Sequence, residues 1–329
     1  MKVIVDKRTE FIGIILMLSK YNQKYEFLKN AYSNEEYIND IMQWFNKYKN
    51  DEFIKLTNEI IDKYENFNYA TPLDLVLRYF DTNFNPIESA DKPEYFDILN
   101  GRLIQEFLHE LPSFANRTKF EEFYKNHSDF YNMCINFQQK YLQELPLNIE
   151  QYFLNFYGTD KSPNVRCNLL LTNSCRGGFG VGINGILYPS LIVDFKGEKQ
   201  FPCSFTFLFH EMSHPVINPL TDKYLKGNVE TKLEIQHYGK IKSIINDSII
   251  RAAEIILCKH MQCSTEFIER KINMEKAQGF EHIEKVVACL ENYSSHRKRY
   301  PNIESFFPIL LDTVVDQIKS HSKEVKQLK

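Results

Sequence analysis

Apolar residues recur every three or four positions over most of the chain, the spacing that lines one face of an α-helix. Tyr37 and Ile41 illustrate this spacing in the N-terminal half. Pro112, Pro146 and Pro163 interrupt the pattern and are expected to mark boundaries between helices. The pattern predicts helices over 9–20, 34–64, 73–80, 95–111, 118–144, 203–214, 229–259, 264–292 and 301–320.

Short apolar runs bounded by turn residues predict strands over 2–6, 165–172 and 185–195. The glycine-rich segment 177–182 lies between the last two and is expected to form a hairpin turn. A phosphate-binding loop is the alternative, but it would need a following Lys-Ser or Lys-Thr and a helix that opens directly after it. These elements predict an α+β fold, mostly helical, with a small mixed β-sheet.

Composition excludes several classes of partner. The net charge is −3, so we expect no general attraction to nucleic acid or to an anionic membrane. The seven cysteines include no C-x-x-C pair, which is typical of reduced thiols in a reducing compartment.

The N-terminus carries an apolar run, Phe11–Leu18, that is too short to span a bilayer. Acidic Asp6 and Glu10 precede the run and no small-residue cleavage site follows it, which is unlike a signal peptide. The sequence therefore predicts a buried first helix capped by Thr9, and a cytoplasmic protein.

The pattern most specific for chemistry is His210-Glu211-Met212-Ser213-His214, which follows an apolar run. On a helix, residues four apart share a face about one turn apart, so both imidazoles can reach one cation. This is the H-E-x-x-H pattern of zinc hydrolases, with two histidine ligands and a glutamate as general base. Two solvated or core histidines on an ordinary amphipathic helix are the alternative.

A catalytic zinc usually has three protein ligands, so a third ligand is expected from a later element. Asp247 and Glu254 are seven residues apart on the long helix predicted after 229, and they share a face to within about 20°. They are about 10 Å apart along the axis, so one ion can take only one of them. Either carboxylate can instead form a salt bridge with Arg251 or Lys259. The candidates on this helix are Glu230, Glu234, His237, Asp247 and Glu254.

The pair Asn246-Asp247 resembles the Asn-Glu pair that supplies the third ligand in thermolysin-like zinc peptidases. The whole chain resembles a family of uncharacterised bacterial zinc-peptidase-like proteins, the domain-of-unknown-function group DUF4932. The matching pieces are Val5-Asp6-x-Arg8-x-Glu10, Gly177-Gly178-Phe179-Gly180, His210-Glu211-Met212-Ser213-His214-Pro215-x-x-Asn218-Pro219, Asn246-Asp247-x-x-x-Arg251-Ala252, Gly279-Phe280, Tyr293-x-x-His296-Arg297-x-x-Tyr300-Pro301 and Phe307-Pro308.

This resemblance implies a zincin-like metallopeptidase of the gluzincin type that acts on a peptide or protein substrate. It implies one Zn²⁺ bound by His210, His214 and Asp247, with Glu211 as general base. The usual acid of the Asn-acid pair is Glu. Asp is one methylene shorter, so its helix must lie closer to the metal.

The resemblance also suggests which residues stabilise the oxyanion and which part of the chain forms the cleft. Tyr300 is the preferred stabiliser of the oxyanion, with His296 and Arg297 as alternatives. Asn218-Pro219 is expected to shape the turn that leaves the histidine helix, and Asn218 can also orient a histidine ligand. Residues 161–329 are interpreted as the catalytic region, with the glycine-rich hairpin beside the cleft, and 1–160 as a wall of the cleft. One continuous unit is the alternative.

Two other functions compete with the peptidase. A peptide-binding or protein-interaction module that keeps a peptidase-like metal site is the first, although such a module needs no base beside its ligands. A structural zinc site is the second, although structural sites prefer four Cys or His ligands.

Overall fold

The structure, a computed structural model, describes residues 1–21, 34–64, 67, 70–87, 101–172, 178–192, 204–226 and 241–327. The chain is mostly helical and has a four-stranded mixed β-sheet, which confirms the predicted α+β class. The contacts group it into two compact units, 1–141 with 164–204 and 142–163 with 205–329. The predicted division into 1–160 and 161–329 stays a prediction.

The first unit contains the sheet and the N-terminal helices. Its elements are β1 (Lys2–Ile4), α1 (Lys7–Leu18), α2 (Glu35–Phe45), a 3₁₀ turn (Asn46–Tyr48), α3 (Glu52–Lys63), α4 (Ala70–Tyr79), α5 (Arg102–Arg117), α6 (Phe120–Asn126), most of α7 (Ser128–Gln143), β2 (Asn164–Leu170), β3 (Gly178–Ile183) and β4 (Ile186–Ile192).

Helix α1 is buried on every side, as expected for a helix that is hydrophobic all round. It is capped by Asp6 and not by Thr9 as predicted, because the Asp6 carboxylate accepts from the backbone N–H of Arg8 at 2.9 Å. Its Phe11 ring packs 4.3 Å from Phe120 and 5.7 Å from Phe114, centroid to centroid. An aromatic cluster therefore forms much of the core of this unit.

The sheet has the strand order β1-β2-β4-β3, with β3 antiparallel to β4 and the other pairs parallel. The glycine-rich segment forms strand β3 and not the predicted turn, although Gly177 itself lies outside the described residues. The turn is Asn184-Gly185, where φ is 49° and 73°. Two consecutive positive φ values make the tight two-residue hairpin for which Asn-Gly is preferred.

The regular elements of the second unit are all helices in the part of it that the structure describes. Its elements are α8 (Ile149–Tyr157), α9 (Phe205–Tyr224), α10 (Ile241–His260), α11 (Thr265–Ala277), α12 (Ile283–Ser295) and α13 (Ile303–Gln327). Helix α10 packs against α9, α11, α12 and α13 and is its central element.

The single helix predicted over 264–292 is divided into α11 and α12. Gly279 has a φ of 101°, which residues other than glycine rarely adopt, and its N–H bonds the carbonyl of Lys276. The next N–H, of Phe280, reaches back to the carbonyl of Glu275 at 3.0 Å. This pattern of a left-handed glycine and a returning N–H ends α11.

Several prolines lie inside helices, so the prediction that Pro112 marks a helix boundary is wrong. Helix α5 includes Pro112, and α9 runs through Pro215 and Pro219 to Tyr224 instead of ending near 214. A proline inside a helix removes one N–H bond. Here the apolar face continues past His214 with buried Ile217 and Leu220, while both prolines of α9 are exposed. Packing of that face outweighs the lost bonds.

In the described part of the chain, no helix combines the length and apolar character needed to cross a membrane. Five of the seven cysteines lie in that part, and all five are free thiols, in agreement with the prediction of reduced cysteines. The other two, Cys175 and Cys203, lie outside the described residues.

Candidate metal centre

Helices α9 and α10 bring two histidines and an aspartate together. His210 and His214 lie one turn apart on α9, and their Nε2 atoms are 3.2 Å from each other. Asp247 on α10 places its Oδ2 4.0 Å from the Nε2 of His210. One donor atom from each residue lies within 4.8 Å of the other two, so the three side chains could hold a metal ion.

The donor set fits a cation such as zinc. Two nitrogens each about 2.0–2.1 Å from a tetrahedral ion would be about 3.3 Å apart, close to the observed separation of the two imidazoles. The Asp247 oxygen is somewhat farther from His210 than that spacing. Two imidazoles and one carboxylate are also the donor types found around catalytic zinc.

The opposite nitrogens of both rings contact oxygen acceptors. The Nδ1 of His210 is 2.6 Å from Oε1 of Glu254, and the Nδ1 of His214 is 3.2 Å from Oδ1 of Asn218. An Nδ1–H donated to an oxygen leaves Nε2 with the lone pair that a metal needs, and such outer contacts also fix the ring orientation. Asn218 thus orients a histidine as the sequence suggested, although it lies within α9 and not in a turn.

The two candidate carboxylates of α10 occupy different places. Asp247 joins the group around the Nε2 atoms, whereas Glu254 bonds the far nitrogen of His210. Asp247 also forms the salt bridge considered as its alternative role, with Arg251 Nε 3.3 Å from its Oδ2. Both roles of Asp247 are therefore compatible in one arrangement.

Charge around His210 is arranged to keep it protonated when no metal is bound. Burial lowers the pKa of His210, but the hydrogen bond and negative charge of Glu254, with Asp247 and Glu211, raise it to about 9. Burial and the charge on His210 lower the pKa of His214. A protonated His210 can donate its Nε2–H to Nε2 of His214 at 3.2 Å, and a bound cation would have to displace that proton.

Glu211 is 8% exposed and lies on the same helix, next to His210. Burial, with the negative charges of Asp247 and Glu254 and against the effect of His210, raises its pKa to about 7. A carboxyl group with such a pKa can both accept and release a proton near neutral pH.

The residue before Asp247 has a buried polar atom without a partner among the described residues. The side-chain oxygen of Asn246 is buried and accepts no hydrogen bond from that part of the chain, although such atoms are normally satisfied. Its neighbour in the chain is Asp247. An unsatisfied acceptor at this place is more typical of a binding site than of a core.

The three candidates for oxyanion stabilisation have contacts near α12 and α13. Arg297 donates to the carbonyls of Phe156 and Pro301, both at 2.6 Å, and so ties the end of α8 to this region. His296 contacts the carbonyl of Asn292, and the Tyr300 ring packs 4.9 Å from that of Phe306. The proposed role of Tyr300 stays a prediction. The other acids and the histidine considered as third ligands (Glu230, Glu234 and His237) lie outside the described residues.

Sequence reasoning missed the charged residues of α11. Lys271 donates to Oε2 of Glu254 at 2.6 Å and contacts Glu275 at 3.3 Å. The four-residue spacing of Lys271 and Glu275 is visible in the sequence, but such pairs are common on solvated helices.

The fold and this group of side chains define a mostly helical α+β protein with a candidate metal centre of two histidines and one aspartate. The chain belongs to the family described as "Domain of unknown function (DUF4932)", whose model matches residues 1–313. Neither the curated proteins nor the solved structures contain a match to it.

Proposed function

We propose that the protein is a zinc-dependent peptidase of the gluzincin type with a zincin-like catalytic region. The observation that carries the proposal is the pair of Nε2 atoms 3.2 Å apart, with Asp247 beside them and buried Glu211 next in the chain. His210, His214 and Asp247 would hold the ion. Bound zinc supplies a Lewis acid and lowers the pKa of a coordinated water.

Glu211 is the general base in this proposal. It takes a proton from the attacking water and returns it to the amine that leaves when the peptide bond breaks. Glu254 and Asn218 hold the two imidazoles through their Nδ1 atoms. Tyr300 is proposed to donate to the oxyanion, where the loss of one donor typically costs about 10²–10³ in rate.

Metal analysis of the purified protein tests the metal centre. We expect close to one zinc per chain in the wild type and loss of this zinc in His210→Ala, because the remaining histidine and carboxylate hold the ion too weakly without the third ligand. His109→Ala is the matched control, because that ring is exposed and its partner is the surface residue Glu110. Absence of zinc from the wild type after growth and dialysis with zinc would contradict the proposal.

Digestion of a peptide library tests catalysis. We expect the wild type to cleave and Glu211→Gln to lose at least 10²-fold in rate while it keeps its zinc, since the amide cannot act as a base. Glu269→Gln, on the exposed side of α11, is the control. A zinc-loaded wild type that cleaves no peptide would contradict the peptidase and favour the alternative, a peptide-binding module that keeps the metal site.

A further inference from the structure

A closed ring of charged side chains runs from one candidate ligand to another through α11. From Asp247 it passes to Arg251 at 3.3 Å and from there to Glu275. Lys271 follows, 3.3 Å from Glu275 and 2.6 Å from Glu254. Glu254 then contacts Nδ1 of His210 at 2.6 Å, whose Nε2 is 4.0 Å from Asp247. Acidic and basic side chains alternate around the whole ring.

The ring is largely shielded from water. The side chains of Glu254 and Glu275 are 6% and 5% exposed, and those of Lys271 and Arg251 are 15% and 17% exposed. Charges in such a place are costly unless each has a partner and a fixed geometry. A ring in which each member contacts two others satisfies this condition and restricts the rotamers of all of them.

Helix α11 buries few of its apolar side chains. Its one fully buried residue is Glu275, while Phe267, Ile268 and Ile272 are only half-buried. A helix that docks by the hydrophobic effect buries an apolar stripe. The ion pairs of Lys271 and Glu275 with α10 are therefore central to the position of α11.

We propose that Lys271 and Glu275 are positioning residues of the metal centre, which fix the His210 ring through Glu254 and the Asp247 carboxylate through Arg251. The inference rests on the proposed function only in taking His210, His214 and Asp247 as the metal ligands. Lys271 holds the second oxygen of Glu254, so that the first oxygen stays on Nδ1 of His210. Glu275 competes with Asp247 for Arg251 and so keeps an oxygen of Asp247 available.

Zinc affinity of Lys271→Met, measured by competition with a chromophoric chelator, tests this. We expect zinc to bind about 10-fold more weakly than to the wild type, the lower end of the effect of losing a direct partner of a ligand, because Lys271 acts on His210 through Glu254. If only charge mattered, removal of a nearby cation would tighten binding. Unchanged or tighter binding would therefore overturn the proposal.

Two further variants separate geometry from charge and from folding. Lys276→Met removes the next lysine of α11, which pairs with Glu284, and should bind zinc like the wild type. Lys271→Arg keeps the charge and should recover part of the affinity. Thermal unfolding of each metal-free variant shows whether it is folded, and an affinity loss that is equal in Lys276→Met and Lys271→Met would contradict a specific role.

A measurement on the metal-free protein keeps the proposal separate from the proposed function. With ¹⁵N-labelled histidine, we expect a hydrogen-bonded Nδ1–H resonance that is absent from His210→Ala. It should persist in Lys276→Met and be lost or shifted in Lys271→Met. The same resonance in Lys271→Met would refute the positioning role, whereas a wild type that binds zinc and behaves as expected here but cleaves no peptide would refute only the proposed function.

Discussion

Two buried glutamates of this protein, Glu254 and Glu10, differ in the charge of the groups around them. Burial raises the pKa of Glu254, but Lys271 and His210 lower it to about 2, so it stays ionised beside the candidate metal centre. Glu10 in α1 is bonded instead by neutral groups, the Tyr37 hydroxyl at 2.8 Å and the Leu171 N–H at 3.4 Å. Burial raises its pKa from 4.5 to about 7 despite these bonds. The same type of side chain is thus a fixed charge in one unit and an acid that titrates near pH 7 in the other.

The raised pKa of Glu10 predicts a pH-dependent stability. Between pH 4.5 and about 7 the folded protein keeps a proton on Glu10 that the unfolded chain has released, so the free energy of unfolding falls as pH rises. The total loss is about 3 kcal/mol for such a shift. Glu10→Gln mimics the neutral acid and should remove the Glu10 share of this slope in urea unfolding at pH 5 and pH 8, while the share of other raised carboxyl groups such as Glu211 remains.

Glu36→Gln is the control for Glu10→Gln, because Glu36 is exposed on α2 and the substitution should leave the slope unchanged. An equal pH slope in the wild type and Glu10→Gln would show that Glu10 is ionised in the folded protein.

Among the elements, two helices are buried on almost all sides, α1 in the first unit and α10 in the second. Their close neighbours limit which side chains they can carry. In α1, a Cβ added at Gly13 would lie 2.0 Å from Oγ1 and 2.8 Å from Cβ of Thr172. The helix therefore approaches the end of β2 at a distance that only glycine permits.

Gly13→Ala should reverse the usual effect of that substitution. In a helix interior, alanine is normally more stable than glycine by about 1 kcal/mol. Here the overlap with Thr172 should make the protein less stable by about 1–3 kcal/mol, measured by urea unfolding. Gly182→Ala in β3 is the control, because an added Cβ there meets nothing within 4 Å. A gain in stability for Gly13→Ala would show that the approach is looser than described.

At the scale of the whole molecule, each unit is formed from two separate stretches of chain. All three candidate ligands come from the stretch 205–329, on α9 and α10. A ligand that binds only the folded state stabilises it, by about 2.7 kcal/mol at a free concentration of 100 times Kd. Zinc should therefore act first on the unit that contains its ligands.

Hydrogen exchange with and without zinc checks this distribution. We expect slower exchange in peptides from α9 and α10, and little change in β2, α3 and α5 of the first unit. His214→Ala should show no zinc effect in any peptide. Equal slowing in both units of the wild type would show instead that the two units open as one.

Periodicity and composition predicted the fold class well, because helix faces and strands leave local patterns. Helix ends were predicted less well, as α9 shows, because burial of Ile217 and Leu220 outweighs the local effect of two prolines. The glycine-rich segment predicts a turn but forms strand β3, for a similar reason. Glycine permits a turn but does not require one, and pairing with β4 decides the outcome.

The sequence by itself determined that His210 and His214 share a helix face one turn apart, because a spacing of four residues has that meaning in any α-helix. It could not determine which oxygen of α10 would stand near which ring nitrogen. Asp247 and Glu254 share a face of that helix, and Glu254 is 44 residues from His210. Only the packing of α9, α10 and α11 decided that Asp247 joins the Nε2 atoms, that Glu254 bonds Nδ1, and that Lys271 lies behind it. Distances between separate helices depend on tertiary contacts, which no local pattern encodes.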